Sequence, residues 1–215
     1  MSREIKRGKT SRERFSLEIS ERDAANGIYS AMKAVVESRG NAFVLDDATR
    51  QHIIEAAQWL VNAKGKFGLL LCGMYGNGKT SLARAIANLI EFTSERVLGY
   101  SQRKVVRFIT AKEICRVYDR GKRIKSEAEE FDKLVREPML LIDDLGTEPA
   151  EVLTYGMPEY PLQNLLEERY DNQRLTIITT NLDAKEIEGH YGKRVRDRLK
   201  ELLTSIVFKN ASYRK

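Results

Sequence analysis

The chain has 215 residues, with 37 Lys and Arg against 31 Asp and Glu (net charge +6) and 42% hydrophobic residues. That is enough for one domain with an appendage, whose core needs no disulfide or metal staple. No stretch approaches the roughly 20 apolar residues of a membrane span, Met1 to Arg14 lacks the apolar segment of a secretory signal, and Cys72 and Cys115 stand far apart without ligand spacing, which excludes a disulfide scaffold or cysteine zinc site and fits a reducing cytoplasm.

Residues 1–20 mix charges and serines with few apolar positions and read as a flexible arm. Ala25, Ile28, Met32, Val35 and Val36 recur at helical spacing, which predicts a helix over 21–38 closed by Gly40 in the left-handed cap conformation. Asp46 or Asp47 caps a second helix to about Ala63, with Ile53, Ala56, Ala57 and Leu60 on one face. From there strands and helices alternate. The strands are Phe67–Cys72, Val105–Ile109, Met139–Leu145, Leu175–Thr180 and Ser205–Phe208. The helices are Lys79–Glu91, Ala111–Lys125, Glu127–Arg136, Leu162–Asn172 and Lys193–Leu203. Such alternation implies parallel strands with right-handed crossovers, hence a three-layer α/β sheet. The expected organisation is a basic arm and helix over 1–42, a possible partner-binding segment, and a nucleotide-binding domain over 43–215.

The sharpest motif is Gly73-Met74-Tyr75-Gly76-Asn77-Gly78-Lys79-Thr80, followed by Ser81. It satisfies G-x-x-x-x-G-K-[ST] between a predicted strand and a predicted helix, the context that a phosphate-binding loop requires. Glycines let the backbone aim successive N–H groups at phosphate, and the helix adds its positive dipole end. Lys79 is suited to the β- and γ-phosphates of ATP, and Thr80 offers a hydroxyl to Mg²⁺. A second motif, Met139-Leu140-Leu141-Ile142-Asp143-Asp144, is an apolar strand ending in two acids at the sheet edge where such folds bind ligands. Asp143 is suited to hold Mg²⁺, and Asp144 to polarise the attacking water. A third strand ends in Thr179-Thr180-Asn181, and Asn181 is suited to contact the γ-phosphate or that water. In Gly192-Lys193-Arg194-Val195-Arg196-Asp197-Arg198-Leu199, Arg194 and Arg198 share one helix face. That pair reads either as a solvated basic face or as arginines reaching a neighbour's nucleotide.

Two basic clusters stand out. One holds Arg3, Lys6, Arg7, Lys9, Arg12 and Arg14; the other holds Arg103, Lys104, Arg107, Lys112, Arg116, Arg120, Lys122, Arg123 and Lys125. Each is compatible with a solvated surface or with nucleic acid. Trp59 and Tyr100 read as packing residues, His52 and His190 as ordinary surface residues, and Cys72 as a small core residue.

Taken in order, these motifs resemble the AAA+ ATPases of the DnaC/DnaI helicase-loader group, with the IstB transposition ATPases close by. The resemblance runs over 43–215 and includes the late Ser212-Tyr213-Arg214. It implies a P-loop NTPase of the ASCE type with a five-stranded parallel sheet in the order 5-1-4-3-2. It also implies Walker A at Gly73–Thr80, Walker B at Asp143 and Asp144, sensor 1 at Asn181, an arginine finger at Arg198 with Arg194 also in the pattern, and a sensor-2-type arginine at Arg214. Phe43 or Val44 would flank adenine. Three features depart from that pattern. Asp144 stands where many AAA+ proteins carry Glu, the sequence continues only about seven residues past the last strand, leaving no room for a C-terminal helical lid, and the first 40 residues hold no cysteine cluster. The implied function is ATP hydrolysis by a head-to-tail homo-oligomer that binds single-stranded DNA and loads a replicative helicase. Two alternatives remain open: a transposition helper on duplex DNA with a transposase partner, and a nucleotide-gated binding module with little turnover.

Overall fold

The computed structural model describes residues 13–96, 104–154 and 156–213. Helix α1 (Glu21–Glu37) and helix α2 (Asp47–Val61) precede strand β1 (Gly68–Gly73) and helix α3 (Lys79–Arg96). Strand β2 (Arg107–Thr110), helices α4 (Ala111–Gly121) and α5 (Lys125–Arg136) and strand β3 (Met139–Leu145) follow. A hairpin of β4 (Val152–Thr154) and β5 (Met157–Glu159) leads to helix α6 (Pro161–Asp171), strand β6 (Leu175–Thr180), helix α7 (Ala184–Leu202) and strand β7 (Leu203–Phe208).

The sheet is β2-β3-β6-β1-β7 and parallel throughout. Numbering its strands in chain order gives 5-1-4-3-2, the order expected. Side-chain alternation along the central strands builds two cores. Leu69, Leu71, Leu141 and Ile177 face α1, α2 and α3, while Leu70, Leu140, Ile142 and Ile178 face α4 to α7. The near-continuous apolar runs of these strands are the signature of a sheet covered on both faces.

The caps follow local chemistry. Asp46, rather than Asp47, accepts the Thr49 N–H at 2.8 Å to start α2, and Gly40 takes φ 74° just past α1. Helix α1 is part of the core: Ala24, Ile28 and Met32 are buried against α2 and α3. His52 is a correction. It is only 7% exposed and stacks on Phe208 at 3.9 Å, because its face of α2 packs on the sheet. His190 is exposed and Trp59 is buried. Tyr100, Arg103 and the basic residues up to Arg12 lie outside the described residues.

Several elements differ from the sequence expectation: helix α4 ends at Gly121 rather than about Lys125, which instead begins α5. Helix α3 runs past Glu91 to Arg96, and the β4–β5 hairpin consists of strands too short to show alternation. Helix α7 starts at Ala184, nine residues before Lys193, under a capping box of Asp183 and Glu186, and breaks at Gly192 (φ 82°, ψ 161°) before its arginine-bearing half resumes. A backbone with positive φ there suits a residue without Cβ.

Candidate functional site

The loop from Gly73 to Thr80 joins β1 to α3 and wraps the start of that helix. Gly73 has φ 142°, and a Cβ on it would stand 2.3 Å from the Phe208 carbonyl oxygen, so β7 permits only glycine at this turn. Lys79 is 5% exposed. Its ammonium donates to the Gly73 carbonyl at 2.8 Å, the Met74 carbonyl at 2.6 Å, Asn77 Oδ1 at 3.1 Å and Asn181 Oδ1 at 2.8 Å. An ammonium on a flexible stem can trade such neutral acceptors for phosphate oxygens.

Strand β3 brings its acids to the same place through an irregularity. Its register with β6 shifts between Ile142 and Leu145, and Asp144 takes φ 56°. An extra residue in a strand re-aims its side chains, and Asp tolerates the left-handed region better than most residues. As a result Asp143 is buried and accepts from Thr80 Oγ1 at 2.8 Å and Thr179 Oγ1 at 2.6 Å. Asp144 lines the cavity instead, and its N–H donates to Thr179 Oγ1 at 2.9 Å. Thr179 thus bridges both acids, a role that the sequence reading missed. Its signal was the run of small hydroxyls ending β6. Thr80 Oγ1 and the Asp143 carboxylate form a paired set of hard oxygen donors beside the loop, which suits Mg²⁺.

The cavity of about 370 Å³ is walled by the loop and α3 on one side (Tyr75 to Ser81) and by Phe43, Val44, Thr49 and Tyr213 on another. Met32, Val36 and Arg39 of α1 and its exit also line it. Phe43 packs edge-on against Tyr29, centroids 5.6 Å apart. Arg214 lies outside the described residues.

A second network ties this edge to α7. Buried Glu148 accepts the Gly146 N–H at 2.9 Å through one oxygen and the Tyr191 hydroxyl through the other. Burial, then the Glu148 charge and its hydrogen bond, push the Tyr191 phenol far up. Tyr191 directly precedes the Gly192 break.

The two arginines beyond that break differ. Arg198 is 18% exposed in its side chain, faces Glu167 at 3.2 Å and Asp171 at 3.5 Å, and lies over the Tyr170 ring. Arg194 is 70% exposed in its side chain, with Glu167 at 3.5 Å. Neither lines the cavity of its own chain. The basic residues from β2 to the start of α5 are extensively paired: Arg107 with Glu130, Arg116 and Arg120 with Glu113, Lys122 with Asp119, and Lys125 with Glu129. Lys112 and Arg123 are exposed. Burial pushes the Cys115 thiol up to about 12, so it is unsuited to act as a nucleophile.

The family model described as IstB-like ATP binding protein matches residues 11–215. No curated protein matches the sequence significantly. Among solved structures, the DnaC helicase loader superposes with a TM-score of 0.61 at 21% identity, over 85% of this chain and 98% of that one. DnaI superposes with 0.60 at 21% identity, over 94% and 100%. The replication initiator DnaA bound to AMPPCP and single-stranded DNA superposes with 0.55 at 16% identity, over 79% and 49%. At these identities the structural likeness establishes the fold. Among the described residues no helix is long and apolar enough to cross a membrane.

Proposed function

Because this chain belongs to the IstB-like ATP-binding protein family, we propose that it is a cytoplasmic, Mg²⁺-dependent ATPase that binds single-stranded DNA and assists replication in the manner of a helicase loader. The observation that carries this reading is the convergence of Lys79, Thr80, Asp143, Asp144 and Asn181 at one sheet edge, within one hydrogen-bonded cluster and its cavity.

In this reading Gly73, Tyr75, Gly76, Asn77, Gly78 and Ser81 cradle the phosphates with Lys79 and Thr80. Lys79 leaves the loop carbonyls for the β- and γ-phosphate oxygens. Asn181, which already holds the ammonium, reports the presence of the γ-phosphate. Thr80 and Asp143 hold Mg²⁺, which neutralises charge across the phosphates when bound. Asp144 accepts a proton from the attacking water, and Thr179 keeps its backbone in position. Phe43 and Val44 flank the base, and Arg214 approaches the phosphates from the C-terminal segment.

Hydrolysis is completed between subunits stacked head to tail, with Arg198 or Arg194 inserted at the neighbour's γ-phosphate. Exposure favours Arg194, which has only Glu167 to leave, whereas the largely buried Arg198 must leave both Glu167 and Asp171. Exposed Lys112 and Arg123 supply phosphate contacts to DNA, and the protein partner is a replicative helicase. That DnaC and DnaI share the fold over nearly their whole length supports the loader reading. The family description supports a second one, a transposition helper that binds duplex DNA and a transposase.

ATP turnover measured alone, with single-stranded DNA and with duplex DNA separates them. Stimulation by single strands is the expected result. Stimulation by duplex alone replaces the loader with the transposition helper. Tight ATP binding without turnover in any condition leaves a nucleotide-gated switch.

A further inference from the structure

After β7 the chain turns back across the phosphate loop. Asn77 Nδ2 donates to the Phe208 carbonyl at 3.3 Å, Asn210 Nδ2 donates to the Asn77 carbonyl at 3.3 Å, and the Tyr213 N–H donates to the Gly76 carbonyl at 2.9 Å. In a planar trans peptide the carbonyl and the following N–H point to opposite sides. With the Gly76 and Asn77 carbonyls turned toward the strap, the N–H groups of Asn77 and Gly78 are turned away from it. The strap therefore orients two of the donors that a phosphate-binding loop uses.

Its side chain reaches further. The Tyr213 hydroxyl lies 2.9 and 2.8 Å from the two oxygens of Asp46 and 2.9 Å from Thr49 Oγ1, at the start of α2. A Cβ placed on Gly78 would meet Met32 Cε at 3.4 Å and Tyr213 Cε2 at 3.8 Å, so the ring passes directly over the loop. Tyr213 thus spans the cavity from the phosphate loop to the segment carrying Phe43 and Val44, and it lines that cavity. The anchor is strong. Burial of the Asp46 carboxylate is outweighed by hydrogen bonds from the Thr49 N–H and from the Tyr213 and Thr49 hydroxyls, which together hold it below the usual range.

We propose that the 209–213 strap is part of the nucleotide site, with Tyr213 as a wall that runs from the phosphate loop toward the Phe43–Val44 segment and contacts the purine base or ribose. This rests on the ATP-binding reading above and adds to it a residue and a linkage. If strap docking raises nucleotide affinity, nucleotide must strengthen strap docking by the same factor.

Two ligands separate the ends of the site: ATP, and inorganic tripolyphosphate, which lacks base and ribose. Tyr213→Ala retains the backbone N–H to Gly76, so it removes the wall and spares the loop contact. The expected result is a loss of roughly tenfold in ATP affinity, the size of one lost aromatic contact with its anchor, with less than about a twofold change for tripolyphosphate. Tyr213→Phe keeps the ring and gives a loss of about threefold for ATP through the missing Asp46 anchor. Saturating ATP slows hydrogen exchange at the Tyr213 amide of the wild-type protein. Equal losses for both ligands, no loss for ATP, or unchanged exchange under saturating ATP each overturn the proposal while leaving ATP binding intact. If the wild-type protein binds neither ligand, the ATP-binding reading itself is overturned.

Discussion

Two buried cations sit at opposite edges of the same sheet, and their surroundings differ in one respect. Lys79, at the C-terminal edge, is held by two loop carbonyls and two side-chain amides. Arg169, at the N-terminal edge, is fully buried, and its guanidinium donates to Thr176 Oγ1 at 2.9 Å, the Glu137 carbonyl at 2.7 Å and the Leu175 carbonyl at 2.6 Å. Burial, with Arg174 nearby, pushes Arg169 down to about 9, still cationic at neutral pH. Both cations are well satisfied, so satisfaction does not separate site from scaffold. What separates them is whether the partners can be exchanged. The Lys79 stem can swing into a cavity, whereas the planar fork of Arg169 is enclosed by the strand starts that it joins.

Lys79→Ala sharpens the contrast most. ATP affinity should fall by more than about 100-fold, while thermal stability changes little, because the loop carbonyls can turn to the solvent of the cavity. Retained affinity in a calorimetric titration would break the comparison. Arg169→Leu should do the reverse. It strands two buried carbonyls and should cost about 3 kcal/mol of stability in urea unfolding, with ATP affinity of the folded protein unchanged.

Thr179→Val tests the bridge between the two acids. On the proposed reading the Mg²⁺ concentration for half-maximal turnover should rise about tenfold, since loss of a group orienting a ligand typically has effects of that size. An unchanged Mg²⁺ dependence would make Thr179 a packing residue only.

Arg194→Ala should lower turnover of the assembled protein about tenfold or more without weakening ATP binding. Mixing it with Asp144→Asn subunits should restore part of the rate. No rescue at any ratio would remove the finger from the subunit boundary.

The smallest effect concerns His52. Burial lowers its pKa from the ordinary 6.5, so the unfolded chain takes up this proton more readily than the fold. Stability should therefore decline as pH falls from about 6.5 toward the folded value. His52→Gln should flatten that part of the pH–stability profile.

Much of the site was legible because its residues are contiguous. Gly73 to Thr80 and Asp143-Asp144 are local signals whose spacing already states their chemistry. The missed residues act across the chain. Thr179 meets Asp143 from another strand, Tyr191 meets Glu148 over 43 positions, and Tyr213 meets Asp46 over 167. His52 looked like a surface residue because a single polar residue on an amphipathic helix does not reveal which face Phe208 will cover. The basic run from Lys104 to Lys125 was open to a solvated surface or to nucleic acid, and only the fold shows that Glu113 and Asp119 of α4 and Glu129 and Glu130 of α5 lie within reach and pair with much of it.

By itself the sequence determined the alternation of strand and helix, the two-faced burial of β1, β3 and β6, and the phosphate-loop motif, because apolar periodicity and a turn that only glycines permit are properties of neighbouring residues. The tertiary structure alone decided that α1 belongs to the core, that a strand irregularity buries Asp143 and turns Asp144 to the cavity, that Arg198 is committed to Glu167 and Asp171, and that the strap after β7 crosses the phosphate loop. Each of these depends on which surfaces meet when separate elements pack, and hydrogen bonds between distant residues leave no periodic trace in the chain.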